Sequence, residues 1–171
     1  FHHGVEAYKI ADLLADNGIC GALWADWWGF KHEAYDMVQA NIAIVDQARG
    51  GKGCAIVHSD DERGIQRLNQ EAAKARAAGN KAGYDITKAR AITWITSNPA
   101  KAAGIYSETG SLVVGKNADV VLWSGDPFSV YSLAEQVFID GALAFNRNTG
   151  FGPVSDFDIG IVDPREDRVN D

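Results

Sequence analysis

The chain contains the stretch Cys54-Ala55-Ile56-Val57-His58-Ser59-Asp60-Asp61, in which a short apolar run ends abruptly in a histidine and two carboxylates. A helical pattern of apolar residues follows directly, over residues 63–78. A buried strand that ends in polar residues and leads into a helix is typical of a β/α barrel or an open α/β sheet, whose sites lie at the carboxyl ends of the strands. On this stretch alone, a solvated loop with a helix-capping aspartate is the simpler interpretation.

The same strand-to-helix pattern occurs twice before this stretch. Residues 1–4 have the character of a strand end, and the apolar run at residues 19–25 leads into polar and aromatic residues. Helical periodicity follows each of them, at residues 6–16 and at residues 34–45. Short buried strands that alternate with helices predict parallel βα units with right-handed crossovers.

Further helices and then strands are expected after residue 84. Asp85 can cap a fourth helix, and Asn98-Pro99 can begin a fifth, which Gly104 ends. From residue 110 onward the apolar pattern has a period of two, and Asp140-Gly141 is a strong hairpin signal. The second half therefore predicts a small antiparallel sheet with strands at residues 119–123, 136–140 and 142–146, and residues 157–161 alternate as one more strand would.

The composition excludes several classes of protein. Of the 171 residues, 46% are hydrophobic and 23% are charged, as in a folded protein rather than a disordered one. The net charge of −7 argues against a nucleic-acid partner, and no apolar run approaches the roughly 20 residues that span a bilayer. The chain begins with Phe1 rather than methionine, and for reasons given below we expect its true N-terminus to lie upstream. A soluble protein of either the cytoplasm or the periplasm is compatible with the sequence.

The two cysteines, Cys20 and Cys54, each open a predicted strand. One pair cannot form the disulfide framework of a small secreted domain. We expect both to be core thiols, although two neighbouring strands could bring them close together.

Several histidines and aromatic residues lie at the predicted strand ends. Imidazole and carboxylate groups at the mouth of a parallel barrel compose a metal site suited to zinc, iron or manganese. A satisfied polar residue is the simpler interpretation for His2 and His32. Among the aromatic residues, Trp24 is expected in the core, whereas Trp27 and Trp28 precede Gly29 and are predicted to wall a pocket.

The second half carries the motifs of a known family. Residues 97–105 (SNPAKAAGI), 110–123 (GSLVVGKNADVVLW) and 125–128 (GDPF) resemble the C-terminal end of the amidohydrolase superfamily, and in particular its imidazolonepropionase-like metal-dependent hydrolases. Upstream, residues 3–9 are similar to the strand-six histidine segment of that branch, and Ser59-Asp60 is similar to its strand-eight aspartate. The resemblance covers about residues 1–147 and implies a C-terminal fragment of such an enzyme.

The resemblance implies an α/β fold made of strands six to eight of a distorted (β/α)8 TIM-like barrel, plus strands of a small β-sandwich domain. We assign residues 1–105 to the C-terminal part of the barrel, 106–147 to the β-sandwich strands and 148–171 to an acidic C-terminal extension. A full barrel takes about 250 residues. We therefore expect an N-terminal barrel segment to be a missing partner of this chain.

The resemblance also implies a divalent metal, zinc before iron or manganese. Its ligands on this chain would be His3, with His2 as the register alternative, and Asp60. The family's His-x-His pair, strand-five histidine and carboxylated lysine have no counterpart here. Asp60 would be the catalytic general base and acid in the hydrolysis of a small amide or cyclic amide by a metal-activated water. Trp27, Trp28 and His58 are candidates for contact with the substrate.

A non-catalytic half-barrel that binds or completes another chain is the alternative. Strands six to eight would expose two unpaired edges, which favour association, including a homo-oligomer. Two metal ligands are also too few to hold a catalytic ion firmly. We therefore expect the isolated chain to be inactive.

Overall fold

The computed structural model describes residues 1–149. The strand predicted at residues 157–161, and nearly all of the extension predicted at residues 148–171, lie outside the described residues. No helix within residues 1–149 combines the length and the apolar character needed to cross a membrane.

Two parallel strands form the centre of the first half. They are β1 (Cys20–Leu23) and β2 (Cys54–Val57), and their register pairs Leu23 with Val57. Residues 1–4, predicted as a strand end, do not form a regular strand but run parallel to β1. The N–H of Ala22 donates to the carbonyl of Phe1 at 2.8 Å, and the N–H of Gly4 donates to the carbonyl of Ala22 at 3.3 Å. β1 therefore lies between residues 1–4 and β2, which brings the carboxyl ends of all three segments to one side.

The helices that cover these strands are shorter than predicted, because several begin or continue as 3₁₀ turns. A 3₁₀ turn has three residues per turn, so it rotates side chains off the face that a period of 3.6 predicts. Within the turn Ala7–Ile10, Ala7 is buried whereas Ile10 is 39% exposed. The helices are α1 (Ala11–Asp16), α2 (Asn41–Gly51), α3 (Leu68–Lys81), α4 (Lys88–Ile92) and α5 (Ser97–Ala102), with 3₁₀ turns at Ala7–Ile10, His32–Ala34, Ile65–Arg67, Thr93–Ile95 and Arg147–Thr149.

Two of the predicted helix caps are wrong. Asp85 does not cap α4, whose N-cap is Thr87, with its Oγ1 accepting the N–H of Arg90 at 3.1 Å. Asn98 lies inside α5 rather than at its N-cap, and its Nδ2 donates to the carbonyl of Ala55 at 2.8 Å. The hydrogen bond from the Asn98 side chain to β2 stabilises the fold more than a local helix cap would, because the carbonyl of Ala55 would otherwise lack a partner. Gly104 follows α5 with φ +77°, as expected for a helix-terminating glycine.

The second half folds into an antiparallel sheet of order β3-β4-β5. Its strands are β3 (Val120–Trp123), β4 (Ala134–Ile139) and β5 (Ala142–Asn146). Asp140 and Gly141 both have positive φ, 50° and 79°, which is the backbone of the type I′ turn that Asp-Gly favours. Large apolar side chains of this sheet, including Leu122 and Leu143, stay exposed.

The two cysteines are not free thiols, contrary to expectation. Cys20 and Cys54 are directly opposite each other in the β1–β2 register and form a disulfide, with their Cα atoms 4.5 Å apart. The alternative that neighbouring strands bring the two sulfur atoms together is therefore the correct one. The disulfide links the two strands at the end opposite to the polar residues that follow Leu23 and Val57.

Candidate metal centre

His3 and Asp60 meet at the carboxyl ends of the parallel segments. Nε2 of His3 lies 3.0 Å from Oδ2 of Asp60, and both side chains are about 40% exposed (39% and 41%). Both residues also have left-handed backbones, with φ of 55° and 52°. A non-glycine residue in this region costs on the order of 1–3 kcal/mol and persists where its surroundings hold it, often at functional sites. The local strain thus coincides with the two residues expected to bind a metal.

Buried Asn41, the first residue of α2, holds the turn that carries His3. Its Nδ2 donates to the carbonyl of Gly4 at 2.8 Å, and its Oδ1 accepts the N–H of Tyr8 at 2.8 Å. Gly4 is needed at this point because a Cβ there would lie 2.7 Å from Cδ2 of Leu23. The backbone next to His3 is therefore fixed by an amide from α2 and by its close approach to β1.

His58 follows β2 directly, and its N–H donates to the carbonyl of Leu23 at 3.1 Å. Its Nε2 is buried and lacks a hydrogen-bond partner among residues 1–149. Burial, together with the neighbouring His2 and His3, lowers the pKa of His58 to about 4. The ring is therefore neutral near pH 7, which is the form that binds metals.

Four side chains converge on this point: His2, His3, His58 and Asp60 each offer one donor atom, and all four atoms lie within 4.8 Å of one another. Donors around one zinc ion, at about 2.0–2.2 Å each, are separated by roughly 3–4 Å, so small side-chain movements suffice to close the set. Imidazole nitrogens with a carboxylate are a donor set that zinc, iron and manganese accept. Together with the unpaired Nε2 of His58, this composition fits a divalent metal ion.

The charge state of Asp60 also suits the binding of a metal ion. The hydrogen bond from His3 lowers the pKa of the Asp60 carboxyl below its usual value, although partial desolvation opposes this effect. The carboxylate is therefore ionised at neutral pH, when it can bind a cation or accept a proton. Its neighbour Asp61 does something else, since its Oδ2 accepts the N–H of Gly64 at 2.7 Å and so caps the turn that leads into α3.

Trp24 forms the back wall of the cluster, which the sequence analysis did not anticipate. It is buried, as expected, but its ring stacks on those of His3 and His58, at centroid distances of 4.8 and 5.0 Å. Its Nε1 also donates to the carbonyl of Ser59 at 3.3 Å. The parallel register explains this contact. Leu23 lies opposite Val57, so the next residues along the two strands, Trp24 and His58, are neighbours.

The other aromatic candidates differ in their distance from the cluster. Trp27 stacks on Trp24 with ring centroids 5.5 Å apart, so it adjoins the cluster through that side chain. Trp28 is 60% exposed and packs on Tyr35, at 6.3 Å, rather than on the histidines. His32 is exposed in its 3₁₀ turn and is not one of the converging donors. The structure therefore brings Trp27 toward the cluster and leaves Trp28 and His32 outside it.

Known proteins resemble this chain over most of its length. A family model described as "Amidohydrolase family" matches residues 45–151. The chain is 29% identical to amidohydrolase tasK of Hapsidospora irregularis over 153 residues, 85% of this chain and 14% of the relative. It is 33% identical to urease subunit alpha 2 of Streptomyces coelicolor over 104 residues, 56% of this chain and 19% of the relative. A 40-residue segment is 52% identical to imidazolonepropionase of a Shewanella species, over 23% of this chain and 10% of that protein.

Solved structures of amidohydrolases and of a related deaminase resemble the fold of this chain. An amidohydrolase from Thermotoga maritima superposes with a TM-score of 0.73 and 32% identity, over 85% of this chain and 36% of that chain. Guanine deaminase of E. coli has a TM-score of 0.62 at 20% identity, over 86% of this chain and 39% of that chain, and supports the fold alone. The fold is therefore of the α/β, TIM-barrel type.

The lengths of these proteins differ greatly from the length of this chain. It spans less than a fifth of tasK and of the urease subunit, at 14% and 19% of their lengths. The family model nevertheless covers residues 45–151, well over half of the 171 residues. The chain belongs to the amidohydrolase family.

Proposed function

We propose that the chain forms part of a metal-dependent hydrolase that cleaves C–N bonds in small amides or cyclic amides. The observation that carries this proposal is the convergence of His3 and Asp60, with two further histidines, at the carboxyl ends of parallel strands. Its relatives among hydrolases, which include urease and imidazolonepropionase, support the reaction class.

His3 and Asp60 would hold the ion, with zinc as the expected metal and iron or manganese as alternatives. When bound, such an ion lowers the pKa of a water molecule toward neutrality and polarises the scissile carbonyl. Both residues lie on left-handed backbone, and the imidazole of His3 is 3.0 Å from the carboxylate of Asp60. Binding would therefore require little rearrangement of the chain.

Asp60 is the proposed general base and general acid. Its carboxylate is ionised, exposed and at the mouth of the strands, so it can accept a proton from the attacking water. It would then return that proton to the nitrogen that leaves when the C–N bond breaks. Trp27 and Trp28 are proposed to line the approach of the substrate, with Trp27 nearer to the cluster.

Residues 1–105 would be the C-terminal part of the barrel, residues 106–147 would contribute sandwich strands, and residues 148–171 would extend the chain. An N-terminal barrel segment would pair with the free edges of the parallel strands, and the chain spans 36% of its Thermotoga relative. We expect the isolated chain to be inactive, because this pairing and further ligands would be missing.

The experiment is chelation of the full-length protein, followed by zinc addition, with hydrolysis of a panel of amides and cyclic amides as the readout. We expect release of the amine or ammonia to stop on chelation and to return with zinc. Turnover that survives complete metal removal would contradict the proposal. A metal-loaded protein that hydrolyses nothing on the panel would favour the non-catalytic half-barrel.

A further inference from the structure

We propose that His58 is a third protein ligand of the metal ion, beside His3 and Asp60. The inference rests on the proposed function for the presence of the ion, and it assigns to His58 a role different from substrate contact. It follows from the position of the ring, from an unpaired nitrogen atom and from the packing that orients the imidazole.

The position of His58 is fixed by the sheet. Its N–H bonds to the carbonyl of Leu23, so it continues the pairing of β2 with β1 by one residue. Asp60 comes two residues later, and the donor atoms of His58, His3 and Asp60 all lie within 4.8 Å of one another. A shared ion is therefore within reach of His58 without any change in strand pairing.

The Nε2 atom of His58 is buried but makes no hydrogen bond within residues 1–149. An unsatisfied buried polar atom costs about 1–3 kcal/mol, and the large majority of such atoms are paired. His58 thus has an unpaired buried nitrogen and belongs to a group of four side chains that could bind a metal ion.

Aromatic packing orients the imidazole. Its ring lies on Trp24 with centroids 5.0 Å apart and an interplanar angle of 28°, and it is nearly parallel to the ring of His3, at 11°. Trp24 is itself held by the bond from Nε1 to the carbonyl of Ser59, which lies between His58 and Asp60. A ring held in this way has little rotamer entropy left to lose on binding an ion.

The test is a crystal structure of the zinc-loaded full-length protein, with the ion located by anomalous scattering. We expect Nε2 of His58 at about 2.0–2.1 Å from the ion, together with His3 and Asp60. An ion on His3 and Asp60 with Nε2 of His58 bonded to a water molecule, or beyond bonding distance, would overturn the inference.

A matched pair of variants gives a second readout. His58→Phe keeps a ring on Trp24 but removes Nε2, and we expect the zinc Kd to rise by more than about 100-fold, beyond the 10–100-fold that loss of a supporting residue causes. His32→Phe, outside the cluster, should leave the Kd unchanged. If His58→Phe raises the zinc Kd by only about 10–100-fold, His58 is a supporting residue and the inference is contradicted.

These outcomes separate the inference from the proposed function. Zinc bound by all three residues without hydrolysis of any amide would contradict the function and leave the inference intact. Hydrolysis with an ion bound by His3 and Asp60 but not by His58 would contradict the inference and leave the function intact. Absence of any metal binding would contradict both.

Discussion

Trp24 and His58 occupy equivalent positions at the ends of β1 and β2, and their rings stack with centroids 5.0 Å apart. The pairing follows from the register, in which Leu23 lies opposite Val57. One ring belongs to the apolar core and the other to the group of candidate metal ligands. The packing of the core is therefore in direct contact with the side chains proposed to bind the ion.

Trp24→Phe should weaken both the fold and the cluster. The smaller ring leaves a gap and removes the donor to the carbonyl of Ser59, so we expect the free energy of unfolding to fall by about 1–3 kcal/mol. Urea unfolding measures the change. Trp28→Phe is the control, since an exposed side chain should alter stability by less than about 0.5 kcal/mol. Equal losses from the two variants would show that Trp24 has no special structural role.

Asp60 and its neighbour Asp61 should respond very differently to the same substitution. Asn tolerates the left-handed backbone of Asp60, so Asp60→Asn should fold normally, bind metal more weakly and lose about 10²–10⁴-fold in kcat as the base is removed. Asp61→Asn should keep most activity, because an amide oxygen can still accept the N–H of Gly64. Kinetics on both variants in the full-length protein test this assignment, and comparable losses in kcat would refute it.

Asn41 should act on the metal through His3. Asn41→Ala leaves the N–H of Tyr8 without its side-chain partner, at a cost of about 1–3 kcal/mol, and removes one donor from the carbonyl of Gly4, which still accepts the N–H of Ala7. We expect lower stability and a zinc affinity reduced by about 10–100-fold, because the turn that carries His3 loses its support. Asn17→Ala is the control, since its exposed amide bonds only the carbonyl of Leu13 within the described chain. Unchanged zinc affinity in a folded Asn41→Ala protein would argue against this positioning role.

The disulfide should stabilise the two strands that carry the site. Cys20 and Cys54 are separated by 34 residues, and closing a loop of that size stabilises by about 4 kcal/mol in the chain-entropy model. We expect Cys20→Ala/Cys54→Ala to lower the free energy of unfolding by about 2–4 kcal/mol. Peptide mapping by mass spectrometry without reductant should recover the linked pair of peptides, and recovery of both cysteines as free thiols would contradict the structure.

Local sequence patterns predicted the strands better than the helices. The apolar run at β2 has a Gly-rich segment before it and polar residues after it, so its bounds follow from the sequence, and β5 was likewise predicted correctly. The helices could not be bounded in this way, because apolar periodicity does not distinguish an α-helix from a 3₁₀ turn such as Ala7–Ile10. The role of Asn98 depended on a carbonyl of β2, which only tertiary structure brings near.

The candidate site was only partly visible in the sequence. His3 and Asp60 could be singled out by family resemblance, and the structure sets them 3.0 Å apart. The convergence of His58 with them depends on strand register and on strained backbone at the turns, which no local pattern specifies. The disulfide and the wall formed by Trp24 depend on the same register, so the sequence left the pairing of the cysteines as an alternative and gave no sign of the wall.

The central claim is that His3 and Asp60 hold a hydrolytic metal ion. The most direct measurement is the metal content per chain of the full-length protein after dialysis against metal-free buffer, compared between the wild type and His3→Asn/Asp60→Asn, with amide hydrolysis assayed in parallel. Asn tolerates the left-handed backbone at both positions, so the variant should stay folded. We predict that the wild type retains tightly bound metal and turns over substrate, whereas the variant loses bound metal and turnover together. Equal metal content and equal turnover in the two proteins would contradict the account.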